Sequence, residues 1–463
     1  MSGQLIISIS GMRGIVGENL TASIAGDYGR AFGTFLKQGQ AGRKEKVSVC
    51  IGRDSRPTGE MLKSAVAAGL CDVGIDVVDL GIVTTPGVGI MVKELGCSGG
   101  VVVTGSHNPA EYNGIKLLLG NAIAPPADAA ERIKRYFVDR NFSLVDSPNG
   151  GKVTSNKQTG VTHIGKVLAI VDKEAIAARK FKVVLDSVNG AGGPVTKKML
   201  SELSCEVIAI NDEPTGLFAH APEPIAENIT DLGAVVKTEK ADIGFAQDPD
   251  ADRVAIVDEA GTYIGEEYTL ALAAKYIFRK KNGTAATNLS TSRMIDDIAE
   301  KAGGRVIRTP VGEANVAAAM LEHNCIIGGE GNGGVIDLRI SPIRDSLVGI
   351  ALVLQLMAET SGPRTGNTIS QLASEIGRYY MRKDKFAADQ SQALQILNSA
   401  KKVFTDAKLD TTDGCRFDFD DGWLHLRASN TEPVMRVIVE AKNQRTAQRY
   451  IDAVVNIRKE MLD

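Results

Sequence analysis

The residue best suited to nucleophilic chemistry is Ser106, within Thr104-Gly-Ser-His-Asn-Pro-Ala-Glu-Tyr-Asn-Gly-Ile-Lys116. The preceding run, Gly99-Gly-Val-Val-Val103, is typical of a buried parallel strand, and ligands bind beyond the carboxyl ends of such strands. Asn108-Pro109 resembles a helix N-cap followed by proline at the first helical position, which would turn free amides toward a phosphate. An ordinary capped turn uses the same residues. Ser106 is therefore a candidate nucleophile near a candidate phosphate site.

A loop with three alternating carboxylates, Asp248, Asp250 and Asp252, is the second chemical feature. Hard divalent cations prefer oxygen ligands, so this loop could hold one Mg²⁺ that keeps positions open for a phosphate. A calcium loop would place Glu259 correctly at its twelfth position, but Arg253 stands at the sixth, where glycine is needed, and both flanks have the pattern of strands. A solvated acidic turn is the other alternative, although three like charges repel without a counter-ion.

A glycine-rich segment, Ile327-Gly-Gly-Glu-Gly-Asn-Gly-Gly-Val335, contains a GxGxxG pattern. A dinucleotide fold needs a helix directly afterwards, whereas the residues from Val335 onward continue as strand or extended chain, so we reject NAD binding. Glycines that bring the backbone close to a ligand would present Glu330 and Asn332 to a polyhydroxyl compound such as a sugar. A simple tight turn explains the same glycines.

The fourth feature is a loop with arginine at both rims, Arg427-Ala-Ser-Asn-Thr-Glu-Pro433, closed by Arg436. Two guanidinium groups, two hydroxyls, an amide and loop N–H groups could cradle a phosphate dianion. Hairpin punctuation accounts for the serine and asparagine, but a plain hairpin does not need the two arginines. We therefore favour an anion site.

The elements that must position these loops follow an α/β pattern. Strand-like runs alternate with alanine-rich helical stretches in three successive units: around 47–103, around 182–210, and from 285 through the apolar helix 347–360. The last part differs, because helices near 369–376 and 390–404 precede two β-like runs, 423–427 and 434–440, and a closing helix. Beyond this recurrence of α/β units we find no short repeat.

Composition narrows the class of protein. The 463 residues suffice for about three or four domains. A net charge of -3 gives no reason to expect a nucleic-acid or membrane partner, and no stretch has the roughly 18 apolar residues of a membrane helix. Six single cysteines without a CxxC pattern encode neither a zinc site nor a disulfide framework. We expect a cytoplasmic protein that binds a small molecule.

Taken in order, these motifs resemble the α-D-phosphohexomutases almost from end to end, and Ser10-Gly-Met-Arg-Gly14 and Gly52-Arg-Asp-Ser-Arg-Pro-Thr-Gly59 extend the likeness. The resemblance implies an α/β protein of four domains around a central cleft. Three are similar α/β sheet domains and the fourth is a smaller α+β domain. We expect them at residues 1–150 with a phosphoserine loop, 155–258 with a metal loop, 259–368 with a sugar loop, and 372–463 with a phosphate loop.

The resemblance also implies the roles of individual residues. Ser106 would be phosphorylated in the active enzyme, and one Mg²⁺ per chain would be held by that phosphoserine with Asp248, Asp250 and Asp252. Glu330 and Asn332 would hold sugar hydroxyls. The non-reacting phosphate would be held by Arg427, Ser429, Asn430 and Thr431.

The implied reaction is transfer of a phosphoryl group between the 6 and 1 positions of a hexose phosphate, through a hexose 1,6-bisphosphate. Arg13, Lys116 and Arg253 would be the cations that stabilise the transferring group. Lys116 and His107 are candidate proton acceptors, since a lysine between other cations can have a lowered pKa. As alternatives we keep a phosphatase and, more distantly, a non-catalytic sugar-phosphate binding protein. We expect a monomer or homodimer.

The preferred sugar is the least determined part. Bacterial phosphoglucosamine mutases typically have serine, glycine and histidine after the sugar-loop glutamate, where this chain has Asn332-Gly-Gly334. Phosphomannomutase/phosphoglucomutases share the Ser-Asn pair of the phosphate loop but commonly have histidines where Gly334 and Glu313 stand. The Glu-x-Asn-Gly-Gly variant resembles archaeal-type members labelled phosphoglucosamine mutases. We therefore expect conversion of glucosamine-6-phosphate to glucosamine-1-phosphate, with phosphomannomutase/phosphoglucomutase activity as the alternative.

Overall fold

A computed structural model describes residues 5–9, 11–39, 46–360, 367–429 and 433–462. Within these ranges the chain builds four sheets, and none of the helices there has the length and apolar character needed to cross a membrane.

The first unit is a seven-stranded sheet in the order β1-β2-β6-β5-β3-β4-β7. Its strands are β1 (Ile6–Ser8), β2 (Gly11–Ile15), β3 (Ser48–Arg53), β4 (Asp76–Ile82), β5 (Gly99–Val103), β6 (Tyr112–Leu119) and β7 (Val153–Ser155). Its helices are α1 (Ala22–Gly39), α2 (Gly59–Asp72), α3 (Thr85–Glu94) and α4 (Ala127–Val138). All five residues of β5 are buried because apolar clusters cover both faces of the sheet, which explains its continuous Gly/Val sequence.

The second and third units are four-stranded sheets, ordered β11-β10-β8-β9 and β13-β12-β14-β15. The second contains β8 (Lys182–Asp186), β9 (Glu206–Ile210), β10 (Ile243–Gln247), β11 (Val254–Val257), α5 (Thr159–Leu168), α6 (Lys173–Ala177), α7 (Gly192–Glu202) and α8 (Thr230–Glu239). The third contains β12 (Thr284–Asn288), β13 (Arg305–Thr309), β14 (Ile327–Glu330), β15 (Gly334–Ile336), α9 (Glu267–Lys280), α10 (Met294–Lys301), α11 (Glu313–Glu322) and α12 (Ser346–Glu359).

One four-strand arrangement recurs in all three units. Three parallel strands are followed by an antiparallel strand that pairs with the last of them, giving β6-β5-β3-β4, β11-β10-β8-β9 and β15-β14-β12-β13. The serine, aspartate and glutamate loops are the three connections into that antiparallel strand: β5–β6, β10–β11 and β14–β15. The recurrence of α/β units predicted from the sequence is thus confirmed, and it places the three loops at equivalent positions.

The fourth unit is an antiparallel sheet in the order β16-β20-β19-β18-β17. It comprises β16 (Tyr380–Ala387), β17 (Lys408–Asp410), β18 (Cys415–Phe419), β19 (Gly422–Ala428), β20 (Val434–Ala441), α14 (Gln390–Val403) and α15 (Gln444–Leu462), and α13 (Ile369–Ile376) precedes it. One face packs its apolar residues on α14 and α15, and the other carries polar residues toward the third unit.

The prediction of a helix N-terminus at Asn108-Pro109 is wrong. The chain continues from this turn into β6, which pairs antiparallel with β5, so no helix dipole points at Ser106 from here. Pairing with two neighbouring strands, β2 and β5, outweighs the local N-cap signal, because β6 is an apolar run in the middle of a sheet.

Candidate active site

Ser106 lies in the β5–β6 connection and is almost completely buried, with 3% of its surface exposed. Its φ of 49° is in the left-handed region, which is unusual for a residue with a side chain. The Ser106 Oγ donates to Asp248 Oδ2 at 3.2 Å and lies 3.4 Å from His107 Nδ1. The first sheet thus presents the serine to the carboxylate loop of the second. Backbone strain of this kind is concentrated at functional sites.

Arg56 fixes the conformation of the serine loop. Its guanidinium is buried and donates to the carbonyl oxygens of Ser106 at 2.6 Å, Asn108 at 2.7 Å and Pro109 at 3.0 Å. Asp54 pairs with Arg56 at 3.1 Å and also accepts from Thr104 Oγ1 at 2.7 Å. In the sequence, Arg56 is only one residue of the Gly52–Gly59 family motif, and no local pattern predicts its contacts with this loop.

The three aspartates form one buried cluster. Asp248, Asp250 and Asp252 are 0% exposed, and one carboxylate oxygen from each lies within 4.8 Å of the other two. A solvated acidic turn is therefore wrong. The calcium-loop alternative is also excluded, because β10 and β11 flank the loop and Glu259 instead accepts hydrogen bonds from Ser370.

The cluster fits a divalent cation. Thr85 Oγ1 and Lys116 Nζ donate to Asp250 Oδ2 at 2.6 and 2.8 Å, whereas Asp250 Oδ1 and Asp252 Oδ1 are buried with no hydrogen-bond partner among the described residues. Buried carboxylate oxygens without partners are costly, and a hard cation would satisfy them. The donor set, which is entirely oxygen, matches Mg²⁺ rather than a metal that prefers sulfur or nitrogen.

Burial and neighbouring charges shift the pKa values of Asp248 and Asp252 in opposite directions. Burial, followed by the charges of Asp252 and Asp250, raises the pKa of Asp248 well above its usual value. Burial also opposes ionisation of Asp252, but the charges of Arg344 and Lys116 outweigh it and lower the pKa of this group. A cation bound between these carboxylates would favour their ionised forms.

The expectation of a lowered pKa at Lys116 is wrong. Burial opposes its charge, but Asp250 and Asp252, at 2.8 and 3.3 Å from Nζ, outweigh burial and raise the pKa. The lysine lies between carboxylates rather than between cations. His107 behaves oppositely, because the Arg253 charge and then burial lower its pKa to about 2, which leaves a neutral imidazole.

The glutamate loop is a hairpin between β14 and β15, as the tight-turn alternative required, and it still presents polar groups. Glu330 is 4% exposed and accepts from Asn288 Nδ2 at 2.7 Å and from the Gly312 N–H at 3.2 Å. Asn332 Nδ2 lies 3.5 Å from Glu330 Oε2, and Asn332 Oδ1 is buried without a partner in the described part of the chain. A free buried acceptor beside a held carboxylate suits a ligand that carries hydroxyl groups.

Arg344 joins the glutamate and aspartate loops and was not identified from the sequence. Its guanidinium contacts Asp252 at 2.7 Å, Glu313 at 2.7 Å and Glu330 at 2.5 Å, in a buried position. The available signal is its place directly before Asp345, the N-cap of α12, because residues 346–357 of that helix are all buried.

The arginine loop lies at one end of the fourth sheet. Arg427 and Arg436 are cross-strand partners, and Lys385 lies opposite Arg436 on the next strand, so three cations share one face. Arg427 is nearly buried and pairs with Asp413 at 3.2 Å, whereas Arg436 is exposed. Ser429 closes the hairpin with a 2.9 Å bond from its N–H to Val434 O. Asn430 and Thr431 lie outside the described residues.

This sheet face is turned to the third unit. His425 Nδ1 lies 2.9 Å from Ser290 Oγ, and Lys383 Nζ reaches Glu266 at 2.6 Å and the Gly331 carbonyl at 3.4 Å. Lys383 thereby connects the fourth sheet to the glutamate loop.

Among the predicted site residues, those brought into direct proximity are Ser106, His107, Lys116, the three aspartates and Arg253. Arg344 connects this group to the glutamate loop.

Arg13 completes the cationic side of the site. It lies on β2 opposite Gly114 of β6, and burial, followed by the Arg253 charge, lowers its pKa. Arg253 itself lies 3.7 Å from Asp252. Cations that repel each other beside a carboxylate cluster are suited to an incoming anion.

The same sheet motif occurs three times, and each copy places one loop at a shared polar centre. A fourth, separate sheet adds a cationic face. This combination is the architecture of the four-domain phosphohexomutases. Comparison with known proteins agrees with this class. Domain models I, II, III and the C-terminal domain of phosphoglucomutase/phosphomannomutase match residues 5–143, 161–261, 266–379 and 382–457. The chain belongs to the phosphoglucomutase/phosphomannomutase family, whose members are intramolecular phosphotransferases.

Relatives and solved structures cover the whole chain. A phosphoglucomutase/phosphomannomutase of Thermococcus kodakarensis is 39% identical over 98% of both chains. A probable phosphoglucosamine mutase of Methanopyrus kandleri is 35% identical over 97% of this chain and 96% of its own. The crystal structure of a phosphoglucomutase/phosphomannomutase family protein from Burkholderia thailandensis is 28% identical, covers 98% of each chain and superposes with a TM-score of 0.85.

Proposed function

We propose that the protein is a Mg²⁺-dependent phosphohexomutase that uses phosphorylated Ser106. The observation that carries the proposal is the 3.2 Å contact between Ser106 Oγ and Asp248, beside the free buried oxygens of Asp250 and Asp252. A phosphorylated serine here would meet a metal held by all three aspartates. When bound, Mg²⁺ supplies charge neutralisation on the phosphoryl oxygens.

The chain's own residues would then govern the transfer. In the first step the bond between phosphorus and Ser106 Oγ breaks while a hydroxyl oxygen of the sugar monophosphate bonds to phosphorus, giving the hexose 1,6-bisphosphate. The proton of that hydroxyl leaves to a base, for which we propose His107, because its Nδ1 lies 3.4 Å from Ser106 Oγ and a phosphoserine dianion beside it would favour the protonated imidazole. Arg13, Lys116 and Arg253 balance the charge of the transferring group.

The second step reverses the first on the other end of the sugar. The bisphosphate turns around, its other phosphoryl group returns to Ser106 Oγ, and the proton goes back to the sugar oxygen that is released. We propose that Glu330 and Asn332 hold the sugar hydroxyls in both orientations. The non-reacting phosphate would be held by Arg427, Ser429, Asn430, Thr431 and Arg436. The sheet that carries these cations is separate from the aspartate cluster, so one phosphate site can serve both orientations of the bisphosphate.

For the substrate we propose glucosamine-6-phosphate, converted to glucosamine-1-phosphate. The support is the Glu330-Gly-Asn-Gly-Gly334 loop together with relatives named probable phosphoglucosamine mutase that share 33–35% identity. Glucose or mannose phosphate is the second candidate, because the 39% identical relative is named phosphoglucomutase/phosphomannomutase.

A coupled assay with glucosamine-6-phosphate, mannose-6-phosphate and glucose-1-phosphate tests both candidates. We expect the highest kcat/KM with glucosamine-6-phosphate and dependence on both Mg²⁺ and a catalytic amount of hexose 1,6-bisphosphate. A higher kcat/KM with mannose or glucose phosphate would select the second candidate. Release of inorganic phosphate at the rate of sugar-phosphate consumption would instead identify a phosphatase and overturn the proposed mutase.

A further inference from the structure

A cavity of about 290 Å³ lies between the first and second units, and none of the proposed site residues lines it. Its wall is formed where three helices begin: Thr84 at the start of α3, Thr159 and Val161 in the first turn of α5, and Ala191 and Val195 at the start of α7. The cavity is thus surrounded by helix N-termini, which carry the positive ends of the helix dipoles.

The wall offers unused hydrogen-bond donors. The first N–H groups of α5, from Thr159 to Val161, have no acceptor among the described residues, and its N-cap residue, Gln158, makes no side-chain cap. At the start of α7, the Ala191 N–H donates to Pro249 O at 2.8 Å and Pro194 has no N–H, so α7 adds its dipole to the cavity wall. Orphan amides at helix N-termini bind anions, and those of α5 face this cavity.

A buried hydroxyl provides an independent sign that a ligand is missing. Thr159 is 3% exposed and lines the cavity, and its Oγ1 has no hydrogen-bond partner in the ranges that the structure describes. Leaving such a buried hydroxyl without a hydrogen-bond partner is unfavourable. An oxygen of a bound anion would accept a hydrogen bond from this hydroxyl.

The charges and the apolar surface around the cavity define the ligand class. Lys157 and Lys198 stand at its exposed rim without an ion pair to any described carboxylate, and no aspartate or glutamate lines the cavity. Most of the remaining wall is apolar and includes Ile82, Ile164 and Val195. The donors suit an anionic head group, and the apolar wall suits a nonpolar body.

Two contacts connect this cavity to the metal loop. Thr84 precedes Thr85, whose Oγ1 donates to Asp250 at 2.6 Å. His163 lines the cavity and lies 2.6 Å from Asp345, the neighbour of Arg344. A ligand in the cavity would therefore contact Thr84, the neighbour of Thr85, and His163, the partner of the residue next to Arg344.

We propose that the cavity is a regulatory site for a small organic anion with a phosphate or carboxylate head group and a nonpolar body, and that binding there changes turnover. The head group lies against the first turn of α5 and Thr159, with Lys157 and Lys198 balancing its charge. This site is separate from the catalytic phosphate cradle.

The test uses phenyl phosphate as the probe and the full-length protein with Mg²⁺. Calorimetry should detect two binding events, because the probe's phosphate also fits the catalytic cradle. Lys198→Met and Thr159→Val should each weaken one event about tenfold, as expected for loss of a hydrogen bond or ion pair to a charged group. Lys197→Met is the matched control, since Lys197 is on the same helix, pairs with Asp212 and does not line the cavity. Arg427→Met should remove only the other event.

Two further measurements complete the test. In crystals soaked with 4-bromophenyl phosphate, bromine anomalous density should lie in the cavity. At saturating sugar phosphate, which outcompetes the probe at the catalytic cradle, phenyl phosphate should change kcat in the wild type and Lys197→Met but not in Lys198→Met. A single binding event that Arg427→Met abolishes, bromine density in the catalytic cleft alone, binding at crystal concentration only, or an unaffected turnover would each overturn the proposal. The binding measurement does not depend on catalytic activity, so its failure is distinguishable from failure of the proposed function.

Discussion

Replacing Arg344 with methionine removes the cation that three buried carboxylates share. The guanidinium lies 2.5–2.7 Å from Asp252, Glu313 and Glu330, and its side chain is 9% exposed. Methionine keeps a long apolar chain and leaves the three carboxylates without that partner. Removal of one member of a buried ion pair typically costs about 3–5 kcal/mol, and three partners place Arg344→Met near the upper value, at about 5 kcal/mol at pH 7.5.

The loss should depend on pH. In the wild type, burial already raises the pKa of Glu313 to about 6 despite the Arg344 charge. Without Arg344 the folded-state pKa of Glu313 rises further above its unfolded value, and the lowered pKa of Asp252 rises toward its unfolded value. The destabilisation is therefore greatest when the groups must ionise, and it declines as the pH falls and they bind protons. We expect a clearly smaller loss at pH 5.5 than at pH 7.5.

Urea unfolding in EDTA at both pH values measures this effect. Arg382→Met is the control, because Arg382 pairs with Asp384 at 2.7 Å on the surface, with both partners about 40% exposed, and such pairs are worth at most about 1 kcal/mol. Arg344→Lys restores one positive charge and should recover part of the stability. The reasoning is refuted if Arg344→Met unfolds at the same urea concentration as Arg382→Met at both pH values.

Three other perturbations have defined outcomes. Asp250→Asn should raise the Mg²⁺ concentration needed for half-maximal turnover by about tenfold or more, and an unchanged metal titration would argue against the aspartate site. Arg56→Met should lower the free energy of unfolding by about 3–5 kcal/mol, because it leaves Asp54 buried and unpaired; urea unfolding checks this, and a loss below 1 kcal/mol would contradict it. Burial raises the pKa of Glu267 from 4.5 to about 7 in the folded protein. The protonated carboxyl group therefore contributes stability that is fully present below pH 4.5 and is lost as the pH rises through 7. Thermal unfolding of Glu267→Gln should therefore show a flatter pH dependence than the wild type between pH 4.5 and 7, and parallel curves would contradict this.

Sequence patterns were sufficient for the loops that follow buried strands. The strand before Ser106 and the strands on either side of Asp248 were predicted correctly, because a strand covered on both faces is a continuous run of apolar residues. Local patterns alone could not show that the serine and the aspartates meet, since they come from different sheets; only the family resemblance implied it. Their contact depends on how the first and second units pack.

Sequence patterns failed where polar residues are buried between units. β18 was not predicted, because its polar residues Arg416 and Asp418 bond to the third unit. The role of Arg344 could not be predicted from the sequence for the same reason. The lowered pKa expected at Lys116 assumed cationic neighbours, and the actual neighbours are carboxylates contributed by another sheet. Interdomain contacts are therefore the part of the site that local patterns do not encode.

Transfer of a labelled phosphoryl group tests the central claim most directly. The enzyme would be phosphorylated with hexose 1,6-bisphosphate carrying ³²P, freed of ligand, and mixed with unlabelled glucosamine-6-phosphate in a single turnover. The account predicts one label on Ser106, located by peptide mass analysis, that moves to the sugar phosphate, and no labelling of Ser106→Ala. Label on another residue, or release of the label as inorganic phosphate in place of transfer to the sugar, would contradict it.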